Sequence, residues 1–310
     1  MDDGAAKQSQ PFSEIDFSML MDLRVDYAFK LIFGSGDASF LISLLNAVFA
    51  SKKIPRTIET LTVTNPYLEK RSKGDKLSIL DLRAKLCDGA AVLIEMHLYG
   101  MDDLKYKTIR SWARAYGEEL REGEDYKGQP PVICVTFADG SIDEGGGKKI
   151  HKCCKIMDID EHTVVSDALE LHYIDMRAFA KTVNEAGGIG KGVELDSVLA
   201  KWLALITEKE IEDKAIIRGI CAEQGEIGMA VSELVRLSED MIVRHAYQRR
   251  QDELMLQRRK DMLLAEKDAV IAEKDAALVE KDAALVERDA EIEQLRRQLS
   301  KLRPRTAKNE

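Results

Sequence analysis

Apolar residues recur at helical spacing in VDYAFKLIFG (25–34) and ASFLISLLNAVFA (38–50). Gly34, Ser35 and Gly36 between them predict two short helices rather than one. The period then changes. IETLTVTNPYL (58–68) is β-branched and predicts an edge strand or extended lead-in, ended by Asn65-Pro66, and EKRSKGDK (69–76) is a charged loop. SILDLRAKLCDGAAVLIEMHLYG (78–100) alternates on either side of Cys87-Asp88-Gly89 and predicts a β-hairpin. Helical spacing returns in DDLKYKTIRSWARAYGEELREG (102–123), with Asp102 or Asp103 as cap and Gly123 as stop. Its predicted buried stripe is Ile109, Trp112, Tyr116 and Leu120. PPVICVTFAD (130–139) is almost continuously apolar, the mark of a strand covered on both faces. A loop, DGSIDEGGGKK (139–149), precedes a further strand in LELHYIDM (169–176). AKWLALIT (200–207) and much of 210–240 read as helix.

From about residue 241 the pattern becomes that of one long charged helix. RHAYQRRQDELMLQRRK (244–260) is rich in arginine, and 266–300 repeats with period seven: EKDAVIA, EKDAALV, EKDAALV, ERDAEIE, QLRRQLS. Leu264, Ile271, Leu278, Leu285, Ile292 and Leu299 share one heptad position, a. The d position carries Lys267, Lys274, Lys281 and Arg288 before the apolar Leu295 and Leu302. A long helix that pairs weakly along its length and best at its end is expected, with a lone helix as the alternative; Pro304 ends it. The expected division is a disordered leader at 1–17, a globular α/β domain at 18–240, a charged coiled-coil helix at 241–303 and a tail at 304–310.

Composition changes this picture little. The chain has 310 residues, 45% hydrophobic and 33% charged, with net charge −9. The acidity removes any global basic signature but leaves room for a local basic face. Five cysteines, at 87, 134, 153, 154 and 221, are odd in number, and the adjacent pair Cys153–Cys154 has no second half of a zinc site. Reduced thiols and a cytoplasmic location are expected. MDDGAAKQSQ lacks the form of a signal peptide, and no apolar run approaches a membrane span.

The hairpin raises a chemical question. If Cys87-Asp88-Gly89 is a three-residue loop with Gly89 left-handed, Leu86 faces Ala90 and Asp81 faces Glu95, and His97 joins them on the same face. Leu80, Leu82, Ile94 and Met96 then point the other way, into the core. A two-residue Asp88-Gly89 turn would instead slip the register by one and part the acids. Two facing carboxylates need a shared proton or a cation between them, and Mg²⁺ suits such a site. Pairing of Asp81 with Arg83 or Lys85 on a solvated face is the other possibility.

An acid on one strand, then a glutamate on the next followed two residues later by lysine or a substitute, resembles the motif of the PD-(D/E)xK nucleases. More narrowly, the chain resembles the Rpn family of recombination-promoting nucleases and transposases. The resemblance rests on D-Y-A-F-K-x-x-F-G (Asp26–Gly34), L-L-N-A-V (Leu44–Val48), S-I-L-D (Ser78–Asp81) and an I-E-M-Q strand, here Ile94–His97. A helix with Arg110, then G-x-x-Y (Gly123–Tyr126) and P-V-I (Pro131–Ile133), complete it. Order and spacing hold over roughly 22–210. The resemblance implies a PD-(D/E)xK core with a mixed central sheet flanked by helices, and a metal-dependent DNA endonuclease. Asp81 and Glu95 would hold Mg²⁺ or Mn²⁺, with the Met96 carbonyl completing the shell and Asp26 as a further acid. His97 stands where the family has glutamine and the superfamily lysine; it would orient or activate the water, or capture the metal, and the alternatives are a weakened enzyme or a half-exposed strand histidine with no role.

Double-stranded DNA is the implied partner. Arg110 can clamp a phosphate or pair with a carboxylate, and Lys30 can contact a phosphate or remain a surface charge. Arg249 and Arg250, with Arg244, Arg258, Arg259 and Lys260, can grip a DNA backbone or simply solvate a helix. His151, His162, His172 and His245 show no metal spacing. The competing reading is a catalytically silent nuclease-fold scaffold acting through its coiled coil; a third is an RNA-cutting enzyme of the same fold.

Overall fold

The computed structural model describes residues 14–64, 82–98, 103–120, 123, 125–142, 149–189, 192, 195–222 and 225–302. Helix α1 (Asp26–Gly34) buries Ala28, Phe29, Ile32 and Phe33, and α2 (Ala38–Ser51) buries an almost unbroken apolar set from Phe40 to Phe49. The break between them needs its glycines. A Cβ on Gly34 would fall 2.4 Å from Leu82 Cδ2, and one on Gly36 2.6 Å from the Ile32 carbonyl oxygen. Asp37 then caps α2, its carboxylate accepting from the Ser39 N–H at 2.8 Å.

Strand β1 (Leu61–Thr64) is shorter than the predicted 58–68; residues 65–68 lie outside the described residues. It pairs with β2 (Leu82–Leu86), which forms the hairpin with β3 (Ala91–His97). The hairpin has the three-residue loop. Gly89 takes φ +87°, the Leu86 N–H donates to the Ala90 carbonyl at 2.9 Å, and Leu82 stands opposite Ile94.

From β3 the chain passes through α3 (Leu104–Glu119) into β4 (Val132–Ala138), parallel to β3 and buried at every position. Strand β5 (His151–Met157) lies at the far edge, antiparallel to β6 (Val164–Asp175), which is parallel to β4. Among the described residues the sheet is mixed and six-stranded, in the order β1-β2-β3-β4-β6-β5.

Helix α3 covers one face, over a core of Ala91, Leu93, Ala115, Val132, Cys134, Leu171 and Tyr173. The other face carries α1, α2 and α5 (Ser197–Ile206): Phe29 packs on Phe137, Phe49 on His172, and Phe33 edge-on against the fully buried Trp202. Helices α4 (Met176–Ala186), α6 (Lys214–Ala222) and α7 (Glu226–Glu239) precede α8 (Met241–Leu302). The described residues fall into two compact units, divided between Glu253 and Leu254 within α8. None of the described helices is by itself long and apolar enough to cross a membrane.

Two expectations are corrected. The buried stripe of α3 is Leu104, Thr108, Ser111 and Ala115, while Ile109 is 46% exposed. The helix lies so close to the sheet that its small residues face inward. Trp112 and Tyr116 of the expected stripe are half-buried and pack against the same core, stacked on each other with ring centroids 5.2 Å apart and the Trp112 indole donating to the Ala168 carbonyl. The helix also stops at Glu119, before Gly123. Strand β5 and the first half of β6 escaped the pattern. HKCCKIM has no clean alternation, and its pairing with β6 is irregular near Lys155–Met157.

Candidate active site

Glu95 sits near the end of β3, an interior strand, and is only 8% exposed. The parallel pairings Glu95–Thr136 and Thr136–Tyr173 lay these three residues in one row across β3, β4 and β6, on the α3 face. Thr108 of α3 closes over the row. Its hydroxyl donates to the Leu104 carbonyl and lies 3.4 Å from the Thr136 Oγ1. Tyr173 shares a hydrogen bond with Thr108, and burial, with neighbouring acidic groups including Glu95 adding, pushes its phenol up to about 12. Burial and the Glu95 charge likewise push the Cys134 thiol up. Glu95 is thus a carboxylate in a largely dry layer.

Its hydrogen-bond partner is His97, two residues on and on the same face, with Nε2 3.0 Å from Oε2. The imidazole is a quarter exposed while Glu95 is nearly covered, so the pair runs from the interior to the surface. His97 lies where the parallel strands end. The Asp139 N–H donates to the His97 carbonyl at 2.8 Å, and Asp139 in turn holds Arg177 at 2.7 Å. Asp175, ending β6, caps α4 through the Ala178 N–H at 2.8 Å; burial raises its pKa. The carboxyl ends of β3, β4 and β6 therefore gather Glu95, His97, Asp139 and Asp175, the rim where open α/β sheets bind ligands.

Asp81 lies outside the described residues. Arg83 and Lys85, the cations named for the solvated-face alternative, have acidic partners among the described residues. Arg83 reaches Glu118 at 3.3 Å and Glu119 at 2.8 Å, and Lys85 reaches Glu119 at 3.3 Å. Among the described residues no group of three His, Cys, Asp or Glu side chains forms a metal site. Glu95 and His97 nonetheless supply an anionic oxygen and a ring nitrogen at a strand end, a donor pair that suits a divalent cation once a further acid joins it.

Met96, expected to lend only its carbonyl, turns its buried side chain to the opposite face as expected, beside Phe137 in register. The remaining expected site residues are dispersed. Asp26 starts α1, whose Phe29 packs on Phe137 on that same far face, and its carboxylate is held by Arg250 at 2.7 Å and Lys30 at 3.6 Å. Arg250 also bonds Glu253 at 2.9 Å, and Tyr247 accepts from the Asp22 N–H, so this part of α8 moors the segment before α1. Arg110 and Arg249 are exposed; Arg110 has no ion-pair partner among the described residues, whereas Arg114 meets Glu118 at 3.5 Å.

A second polar assembly was not expected from the sequence. On the α2 face, Ser51 Oγ lies 3.1 Å from His151 Nδ1 and His151 Nε2 lies 2.9 Å from His172 Nδ1. His172 Nε2 lies 2.8 Å from Glu170 Oε1, and Lys155 binds the other Glu170 oxygen at 3.0 Å. With neutral imidazoles every donor has one acceptor: Ser51 to His151, His151 to His172, His172 to Glu170. Burial first, then the neighbouring His172 and Lys52, drive the His151 pKa down to about 2. Burial alone would raise Glu170, but the bonds from His172 and Lys155 win and hold it at about 2. The chain ties edge strand β5 to β6 and to the end of α2.

A family model described as PD-(D/E)XK nuclease family transposase matches residues 23–259, a span that contains Asp26, Asp81, Glu95, His97 and Arg110. No curated protein and no solved structure matches the chain.

Proposed function

The chain belongs to the PD-(D/E)XK nuclease family transposases, and from that premise we propose that it is an Rpn-like, metal-dependent endonuclease. It hydrolyses phosphodiester bonds of double-stranded DNA, in recombination, transposition or defence against foreign DNA. The observation that supports this most is Glu95: a carboxylate 8% exposed, bonded to one imidazole, at the end of an interior strand. PD-(D/E)XK nucleases generally use divalent metal ions. Mg²⁺ or Mn²⁺ held by Glu95, Asp81 and the Met96 carbonyl would polarise the scissile phosphate and acidify the attacking water. Asp81, next in sequence to Leu82 of the Leu82–Ile94 pair, is the second acid in this reading.

His97 does the proton work. Donation from Nε2 to Glu95 leaves Nδ1 with a free lone pair, which orients the water and takes its proton. Arg110 and Arg249, both exposed, contact the DNA backbone, while Lys30 and Arg250 serve first as partners of Asp26. A second copy of the chain, joined through α8, brings a second site for the other strand. The test is supercoiled plasmid with Mg²⁺. Nicking that EDTA stops and Glu95→Ala abolishes supports the reading; intact plasmid at high protein and metal concentration overturns it. The second outcome would favour a silent scaffold, for which the exposed apolar positions of α8 speak.

A further inference from the structure

The repeat in α8 carries an unusual charge arrangement. The first three heptads place Glu, Lys and Asp side by side, as in Glu273-Lys274-Asp275 and Glu280-Lys281-Asp282, and the fourth has Arg288 in place of lysine. Side chains at i, i+1 and i+2 do not face one another on a helix; those at i, i+3 and i, i+4 do. Between Glu266 and Glu287 no acidic and basic residue stand three or four apart. Elsewhere α8 does pair internally, with Arg250 on Glu253 and Arg297 on Glu293. The repeat therefore holds its charges without satisfying them along its own length. Beside them the a positions are bare: Leu264 is 57% exposed, Ile271 54%, Leu278 56% and Leu285 57%.

We infer that the partner of this face is a second copy of the same helix, parallel and in register. In a parallel pair, a meets a′ flanked by g′, and d meets d′ flanked by e′. Leucine and isoleucine at a then stack with Val270, Ala277 and Ala284 at g, giving apolar layers. Lys267, Lys274 and Lys281 at d lie against Asp268, Asp275 and Asp282 of the other copy, giving layers of two lysines and two aspartates with no net charge. An antiparallel pair would set each a leucine against a d lysine and face e aspartates with each other. Slipping one copy by seven residues leaves the repeat matched but sets Leu295 against Arg288. The last heptads, where d becomes leucine, thus fix the register. From Leu264 to Leu299 the seam is about 50 Å long at 1.5 Å per residue, and its start brings both chains in side by side. This deepens the homodimer part of the proposed function and rests on it.

The test uses the full chain with its exposed cysteines replaced, Cys87→Ser and Cys154→Ser. Leu299→Cys in that background should cross-link to itself on mild oxidation. Lys267→Glu/Lys274→Glu/Lys281→Glu and Asp268→Lys/Asp275→Lys/Asp282→Lys should each weaken self-association at least about tenfold, and mixing the two should restore it. A monomer by sedimentation, a dimer that fails to cross-link at 299, or swapped chains that associate as before overturns the inference. Plasmid nicking is read separately. Glu95→Ala should lose nicking yet still cross-link, so failure of the seam and failure of the nuclease reading are told apart.

Discussion

Replacing Glu170 with glutamine removes one charge from the buried Ser51–His151–His172–Glu170–Lys155 chain and keeps an oxygen to accept from His172. Glu170 is 3% exposed, and its bonds to His172 and Lys155 lower its pKa from 4.5 to about 2 against the effect of burial. A carboxylate with a lowered pKa stabilises the fold above its unfolded value and loses that contribution as pH falls through the folded one. A shift of this size corresponds to about 3 kcal/mol at pH 7, about half of that at pH 3, and almost nothing below pH 2. Unfolding in urea, followed by the fluorescence of the fully buried Trp202, gives the stability of each protein. His151, whose low pKa makes both proteins acid-sensitive below about pH 6.5, cancels from the difference. Glu170→Gln should therefore be less stable by about 3 kcal/mol at neutral pH, with a gap that closes on acidification. Equal stabilities at pH 7, or a gap unchanged at pH 3, would refute the account of this chain as a charge-stabilised clamp.

His97→Ala should lower nicking by about 10²–10⁴-fold, the usual worth of a positioned general base, and His97→Gln should recover part of it by orienting water without accepting its proton; equal rates in all three proteins would remove His97 from the reaction. Asp26→Ala should cost about 1 kcal/mol of stability, through the loss of its bonds to Arg250 and Lys30, and leave nicking intact; abolished nicking in a folded protein would return Asp26 to the chemistry. Gly89→Ala should destabilise by about 1–2 kcal/mol because Gly89 sits at φ +87°, although the nearest atom to an added Cβ, on Pro130, is 3.8 Å away; an unchanged urea midpoint would show that the turn relaxes freely.

Much of the hairpin could be read from residues alone. Gly89 marks the turn because it is left-handed, and of the two loops the residues allow the structure takes Cys87-Asp88-Gly89, which sets which residues face each other for the full length of the pair. Helix α4 carries equally legible signals: Asp175 caps it and Gly187, at φ +64°, ends it. Helix α3 was harder. A helix pressed against a sheet turns inward whatever lets it approach, so Thr108, Ser111 and Ala115 outrank Ile109, and hydrophobicity pointed the wrong way. β5 was not legible, because an edge strand takes its order from its neighbour β6 rather than from its own alternation.

The candidate site shows where local reading ends. The motif Glu-x-His occurs twice on strands, as Glu95-Met96-His97 and Glu170-Leu171-His172, and both pairs close to within hydrogen-bonding distance, 3.0 and 2.8 Å. Nothing in either triplet separates them. Register does: Ile94 and His172 flank Val135 on one face, which leaves Glu95 and His97 on the other. Surroundings then assign the work. His172 is fully buried, with His151 on one nitrogen and Glu170 on the other, and Lys155 holds the second oxygen of Glu170. Every valence of that pair is spent on the fold. His97 is a quarter exposed at the end of its strand, and among the described residues its side chain bonds only Glu95, through Nε2. Chemistry needs an acceptor that is held in place yet still has a lone pair to give. Of two identical motifs in one sheet, the β3 copy is the one whose described surroundings leave both conditions open, which is why the proposed chemistry is placed there.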